Sequence, residues 1–356
     1  MTLDAAARTA AYWDAEESWR IGQGLHWLEI PAVQRRLNQK VSGRPEIDWV
    51  RYTLAQYFAD RLPVEHCLNL GCGRGWLERQ LASLDAFVSC DAFDIAPGVI
   101  AQAEKSARQG GHHHIRYTVQ DANQIVLPTR SYHAVWSAGA VHHFERLEHV
   151  FEQVAAALKP EGLFVLHEYV GPNRFQFPAY QRDVIQACLG LLPQEYRQVA
   201  PSALQLGPVA QGRQSPTWLA RRVVDKLRDG DLVAAVCRRF RLLQAVRSGK
   251  TVEKLSANLP TERSVVAADP SEAVRSAEII PLLRRYFHIV EFKPQGGTIL
   301  QFLLADIAGN FADEIGGRLL EMLFTIEDTL METGRLQSDF AYIVAAPREG
   351  NGATRD

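Results

Sequence analysis

Apolar and polar positions along this chain switch between two periods, and the switching predicts the order of its elements. Short apolar runs at 67–70, 86–93, 115–119, 134–136 and 162–169 read as strands, separated by turn residues and helical stretches. Strands alternating with helices form a parallel sheet covered on both faces. Ahead of this core, residues 1–63 read as helical, with helices expected over 5–17, 25–38 and, after Ser42-Gly43-Arg44-Pro45, over 47–61. Behind it, Pro172-Asn173-Arg174 interrupts the pattern, and 175–192 reads as a helix closed by Pro193. Past Asp269-Pro270, a helix through Leu283 leads to a sixth strand at 287–292; a seventh lies at 339–346, with helix over 299–332 between them. Residues 194–270 do not follow the alternation. Their apolar positions from Trp218 to Val246 suit two amphipathic helices broken at Gly230.

The division expected is therefore a helical cap (1–63), an α/β core (64–192), a helical basic insertion or lid (193–270), a completion of the sheet (271–347) and a disordered tail (348–356). Ten Lys or Arg against three Asp give the stretch 213–250 a local charge of +7. A solvated lid or dimerisation hairpin, a seat for an anionic group such as a nucleotide-linked sugar or carrier phosphate, and contact with a membrane surface are all open for it.

Chemistry concentrates at residues 67–75, Cys67-Leu68-Asn69-Leu70-Gly71-Cys72-Gly73-Arg74-Gly75. An apolar strand running into three glycines and then a helix brings bare backbone against a ligand. The spacing is G-x-G-x-G, unlike the G-x-G-x-x-G that cradles a pyrophosphate, so it suits a nucleoside without phosphates. Asp94 ends the second strand about twenty residues on, where a carboxylate can accept ribose hydroxyls. Asp121 and Asn123 follow the third strand, where an acid and an amide could meet an exocyclic amine.

With those residues in hand, the chain resembles the class I S-adenosylmethionine-dependent methyltransferases. The resemblance covers roughly 64–172 and rests on Gly71/Gly73/Gly75, Asp94-Ile95-Ala96-Pro97, Asp121-Ala122, His142-His143-Phe144 and Leu158-Lys159-Pro160-Glu161-Gly162, in the family's order. It implies a Rossmann-like, seven-stranded, mostly parallel sheet of the α/β class, with a helical cap and a helical insertion before strand six. It also implies S-adenosyl-L-methionine as cofactor, held by Gly71, Cys72, Gly73, Gly75, Asp94, Ile95, Asp121, Ala122, Asn123, Ser137 and Gly139. Two positions depart from the pattern: Asn69 stands where the family usually has an acid, and His133 where Asp is common.

Methyl transfer needs alignment and, for an alcohol or ammonium acceptor, removal of a proton. His142 or His143, after the fourth strand, could be the base, or His143 could be a structural residue of the turn. Glu168 and Tyr169, at the end of the fifth strand, point to opposite faces, and one is expected to approach the acceptor. Tyr12, Trp13 and Trp27 are candidates to line the site beside the sulfonium, against the alternative that they glue the cap to the sheet. Arg174 is a candidate clamp for a substrate carboxylate or phosphate. His112-His113-His114 follows Gly110-Gly111 in an exposed loop, where neighbouring side chains cannot all converge, so no metal site is expected.

Composition narrows the partners. With 356 residues, 47% apolar, 22% charged and a net charge of −2, the chain can bury a sizeable core and has no global footprint for nucleic acid. No apolar run is long enough to span a bilayer, and 1–20 lacks the form of a signal peptide. Five scattered cysteines, with no C-x-x-C pair, suit reduced thiols in the cytoplasm. A small-molecule methyltransferase tailoring sugars or secondary metabolites is the leading reading, with a homodimer left open. A cyclase of the azetidine-2-carboxylate synthase type, which consumes the same cofactor and releases methylthioadenosine, is the first alternative. A non-catalytic cofactor-binding subunit is the second. Nucleic-acid methylation is weaker, because Ser137-Ala138-Gly139-Ala140 stands where base-directed enzymes carry their Pro-Pro-aromatic signature.

Overall fold

In a computed structural model, residues 3–14, 25–199, 252–257 and 259–348 are described. Seven strands form one sheet in the order β3-β2-β1-β4-β5-β7-β6. They are β1 (Val64–Leu70), β2 (Phe87–Asp94), β3 (Ile115–Val119), β4 (Tyr132–Ala138), β5 (Leu158–Tyr169), β6 (Phe287–Gly296) and β7 (Phe340–Pro347). The first five are mutually parallel, and β7 pairs antiparallel with both β5 and β6. Since β2 and β3 lie to one side of β1 and β4 and β5 to the other, the strand order reverses between β1 and β4. That reversal opens a crevice at the carboxyl ends of the strands, where ligands of such sheets bind.

The helices are α1 (Leu3–Asp14), α2 (Pro31–Ser42), α3 (Trp49–Thr53), α4 (Trp76–Ser83), α5 (Pro97–Gln109), α6 (Leu147–Ala157), α7 (Ala179–Leu191), α8 (Glu262–Ala268), α9 (Ile279–Tyr286), α10 (Leu300–Leu304) and α11 (Glu314–Glu332). All seven strands stand where the hydrophobic pattern puts them. β5 starts earlier than expected: Leu158 already pairs with Tyr132, ahead of a register shift that absorbs Pro160 and Gly162, two residues that read locally as a loop. Helix limits moved more. α2 begins at Pro31 and ends at Gly43, whose φ of 76° stops it, so it lies several residues after the 25–38 expected. The expected helix 47–61 is regular only over α3 and then continues in wider and tighter turns. α7 starts after Pro178 rather than at 175, because Arg174 and Phe175 adopt left-handed backbone. The two basic helices expected between 213 and 250, and most of the tail after 347, lie outside the described residues.

Alternate residues of each strand face opposite layers. Cys67, Cys90, Trp136, Val165 and Tyr342 pack toward α3, α4 and α5. Leu68, Val135, Phe164, Leu166 and Ile343 pack toward α6 and α9. A third cluster joins the N-terminal segment to the C-terminal helices through Trp27, Val33, Leu37, Ile185, Leu300 and Phe324. Beside it, Arg36 of α2 pairs with Glu327 at 2.8 Å and Asp328 at 2.6 Å, fixing α2 against α11. The four described cysteines are buried and unpaired. Among the described residues no helix is long and apolar enough to cross a membrane.

Candidate active site

The crevice is built first by the turn after β1. Gly71 has φ +60°, and a Cβ there would stand 2.4 Å from the Cβ of Ala140, so the tips of β1 and β4 can meet only without a side chain. Gly73, also at positive φ, donates its N–H to Asp94 Oδ2 at 3.0 Å, while Ala96 N–H donates to Asp94 Oδ1 at 3.0 Å. Cys72 N–H donates to the carbonyl of Phe93 at 2.9 Å, tying the same turn to β2. Burial pushes the Asp94 carboxyl upward, with the backbone N–H groups opposing that shift. The Cys72 thiol is pushed well above its ordinary range by burial, which suits packing and not nucleophilic attack.

A cavity of about 320 Å³ lies over this turn, the volume of a small-ligand pocket. Its walls include Asn69, Gly71, Cys72, Gly73, Asp94 and Ile95 on the β1–β2 side, Gln120, Asp121, Ala122 and Asn123 after β3, and Gly139 and His143 after β4. Asp121 accepts from the N–H and amide of Asn123 and from Gln124, capping its own turn. Asn123 is committed further, since its Oδ1 accepts from the N–H groups of Glu145 and Arg146. Its amide therefore locks the β3 and β4 loops together instead of standing free for a base amine. Two expected cofactor residues stand off the wall. Gly75 caps α4, and Ser137 is buried with its hydroxyl donating to the carbonyl of Leu70 at 3.3 Å.

The far side is closed by segments distant in sequence. Thr9 and Trp13 of α1 line the cavity with Ser271. One carboxylate gathers them: Asp269 accepts from Thr9 Oγ1 at 3.2 Å, Trp13 Nε1 at 3.1 Å, and Ser271 N–H and Oγ at 2.8 and 2.7 Å. Asp14 accepts from the N–H groups of Gly98 and Val99, capping α5 from another helix and anchoring the C-terminal end of α1 beside Trp13. Tyr12 packs edge-on to Trp13 at 5.3 Å, and burial, with Glu272 and Asp269 nearby, pushes its hydroxyl up to about 12. Trp27 lies elsewhere, buried in the third cluster against Phe340, because its indole faces the C-terminal helices.

The two histidines are held differently. The His143 ring lies edge-on to Trp13 at 5.3 Å, and its Nδ1 is 2.9 Å from Ser271 Oγ. Since the one hydroxyl proton of Ser271 goes to Asp269, that oxygen must accept from His143 Nδ1–H, leaving Nε2 with a lone pair. Burial, then the neighbouring His142, lowers the pKa of His143. His142 stands behind it, with Nδ1 on Glu168 Oε1 and Nε2 3.4 Å from Glu272 Oε1. Burial works against its charge, yet Glu168 and Glu272 outweigh burial and raise it to about 10. Glu168 is fully buried and also accepts from the N–H groups of Ala140, Val141 and Tyr169. It is thus committed to the turn, while Tyr169 donates to the carbonyl of Pro172; neither reaches the cavity. Arg174 likewise gives Nη1 to the carbonyl of Glu272 at 2.8 Å and holds that segment in place. Sequence spacing carried no sign of Thr9, Asp269, Ser271 or Glu272.

Asn69, one of the two departures, is explained by a partner. Its Nδ2 donates to Glu78 Oε2 at 2.6 Å, so a carboxylate is present after all, supplied from α4. Glu78 is fully buried, and burial raises its pKa from 4.5 to about 7 despite that bond. A raised acid stabilises the fold below its unfolded pKa, and stability falls as pH rises from 4.5 to 7. Glu78→Gln should therefore gain on the wild type by about 3 kcal/mol between pH 4.5 and pH 8 in urea unfolding. A pH-independent difference between the two proteins would contradict this assignment.

Over its strand–helix core the chain is similar to known proteins. The model of a methyltransferase domain family matches residues 67–162. Aklanonic acid methyltransferase DauC of Streptomyces sp. (strain C5) is 29% identical over 161 residues, 44% of this chain and 69% of that protein. The malonyl-[acyl-carrier protein] O-methyltransferase of Halalkalibacterium halodurans is 30% identical over 136 residues, 35% of this chain and 48% of its own. The chain thus spans about half the length of the second. Among solved structures, the [4+2]-cyclase SpnF aligns over 92% of this chain and 99% of its own, at 15% identity and a TM-score of 0.43.

Proposed function

Because the chain belongs to the class I S-adenosylmethionine-dependent methyltransferases and takes S-adenosylmethionine as its cofactor, we propose that it methylates a hydroxyl, carboxylate or amine of a small molecule in biosynthesis. The observation that carries this reading is the cavity itself. Bare glycine backbone and Asp94 lie at one side, and Trp13, His143 and Ser271 at the other, so a nucleoside and an acceptor can share one cavity. With the ribose on Asp94 and the base toward Asp121, the sulfonium lies toward α1, where the Trp13 ring can face a desolvated cation. The acceptor oxygen or nitrogen attacks the methyl carbon as the carbon–sulfur bond breaks. The electron pair goes to sulfur; a carboxylate acceptor has no proton to lose, whereas a hydroxyl or ammonium acceptor gives its proton to His143 Nε2. His143, which lines the cavity with its Nε2 unprotonated and is backed by His142 and Glu272, is the group placed to activate that acceptor. The two relatives, an aklanonic acid methyltransferase and a malonyl-[acyl-carrier protein] O-methyltransferase, support a small acid, free or carrier-bound, as acceptor class.

The test is incubation of the protein with labelled cofactor and a panel of hydroxy acids, phenols, sugar nucleotides and carrier-bound acyl groups. S-adenosylhomocysteine formed only when an acceptor is present is the expected result. Methylthioadenosine released without any acceptor would favour the cyclase reading instead. Cofactor bound with no turnover across the panel would favour a binding subunit.

A further inference from the structure

We propose that His142, His143 and Glu272 form a site for one divalent first-row transition-metal ion beside the cofactor cavity. One nitrogen from each ring and one Glu272 oxygen lie within 4.8 Å of one another. Two imidazoles and one carboxylate are the donor set that holds such an ion while leaving positions for a substrate oxygen. His143 borders the cavity with Ser271, so the ion would lie next to the space the acceptor occupies.

The surroundings are those of metal-ligating histidines, whose second nitrogen is ordinarily held by a carboxylate directly or through an intermediary. His142 gives Nδ1 to Glu168, and His143 gives Nδ1 to Ser271, which passes on to Asp269. Both rings are thereby oriented with Nε2 as the donor atom. One ligand pair already stands at the spacing of bound donors, and the third donor, within 4.8 Å, has a short distance to close. Ligands about 2.0–2.1 Å from a tetrahedral ion stand about 3.3–3.4 Å apart. His142 Nε2 and Glu272 Oε1 are 3.4 Å apart, whereas a strong charge-assisted hydrogen bond would close to about 2.7–2.9 Å. Glu272 is steadied through its carbonyl by Arg174. Among the described residues three carboxylates, Glu168, Asp269 and Glu272, meet two imidazoles and one guanidinium at this corner, a balance that attracts a cation. An acceptor hydroxyl bound to the ion would have a lower pKa and would release its proton to solvent, keeping the electron pair on oxygen for attack. That role rests on the methyl-transfer reading; binding of the ion does not.

The test uses the full chain stripped with a chelator and then titrated with cobalt(II), followed by absorption, and with zinc(II), followed by calorimetry. S-adenosylhomocysteine affinity is measured on the same samples. We expect one ion per chain, held at least tenfold more weakly by Glu272→Gln and by His143→Ala. The run His112-His113-His114 is the competing site, and its triple alanine variant should bind the ion unchanged. Stripped protein that binds S-adenosylhomocysteine but takes up no ion overturns the proposal. So does affinity that follows the triple alanine variant rather than Glu272. An ion held at Glu272 by protein that does not bind S-adenosylhomocysteine would uphold the site and sink the methyl-transfer reading alone.

Discussion

Asp94→Ala should weaken the binding of S-adenosylhomocysteine by about a hundredfold. Charge-assisted hydrogen bonds contribute about 1.5–3 kcal/mol each, and a pair of ribose contacts would be lost. The structure adds a second cost. Asp94 also accepts from Gly73 and Ala96, so its removal frees the glycine turn as well as the ligand. Asp94→Asn keeps one acceptor oxygen and should lose only about tenfold, since 1.4 kcal/mol is a factor of ten. Calorimetric titration of both variants checks this, and wild-type affinity in the alanine variant would count heavily against the cofactor's placement.

Glu168→Ala should cost about 3–5 kcal/mol of folding stability, the usual penalty for breaking a buried charged pair. Its carboxylate serves three backbone N–H groups and His142 in a place water does not reach, and each donor left unpaired is penalised. The pH dependence gives a sharper signature. His142 is raised from 6.5 to about 10, so its share is complete below pH 6.5 and fades as pH rises to 10. Glu168 lies below its ordinary 4.5, so its share is complete above that value and fades in acid. In chelator-stripped protein, where no ion can hold His142 Nε2, the gap between variant and wild type in urea unfolding should therefore be largest near pH 5–6 and shrink toward pH 10. A gap that stays level over that range would remove His142 as the partner that matters.

These two residues also mark where sequence reading ends. Asp94 was legible because its place follows from local pattern: a strand tip about twenty residues after a glycine turn. Glu168 was legible as a strand-end acid, but not as the acceptor that fastens the β4 turn, because only packing decides which face meets that turn. Trp27 and Trp13 looked alike in an aromatic-rich segment. Their separation came from α1 lying across the cavity while Trp27 turned into the C-terminal helices.

By itself the sequence determined the α/β alternation, the seven strands, the glycine turn and the cofactor class. The first three depend on residues within a few positions of one another, where backbone freedom and side-chain period act directly, and the cofactor class followed from the resemblance of motifs in order over roughly 64–172. The tertiary structure alone decided the far wall. Asp269 joins Thr9 across 260 residues and Trp13 across 256, and His143 meets Ser271 across 128. No spacing rule reaches over such separations, because those contacts exist only once the sheet has brought both ends of the chain to the same strand tips.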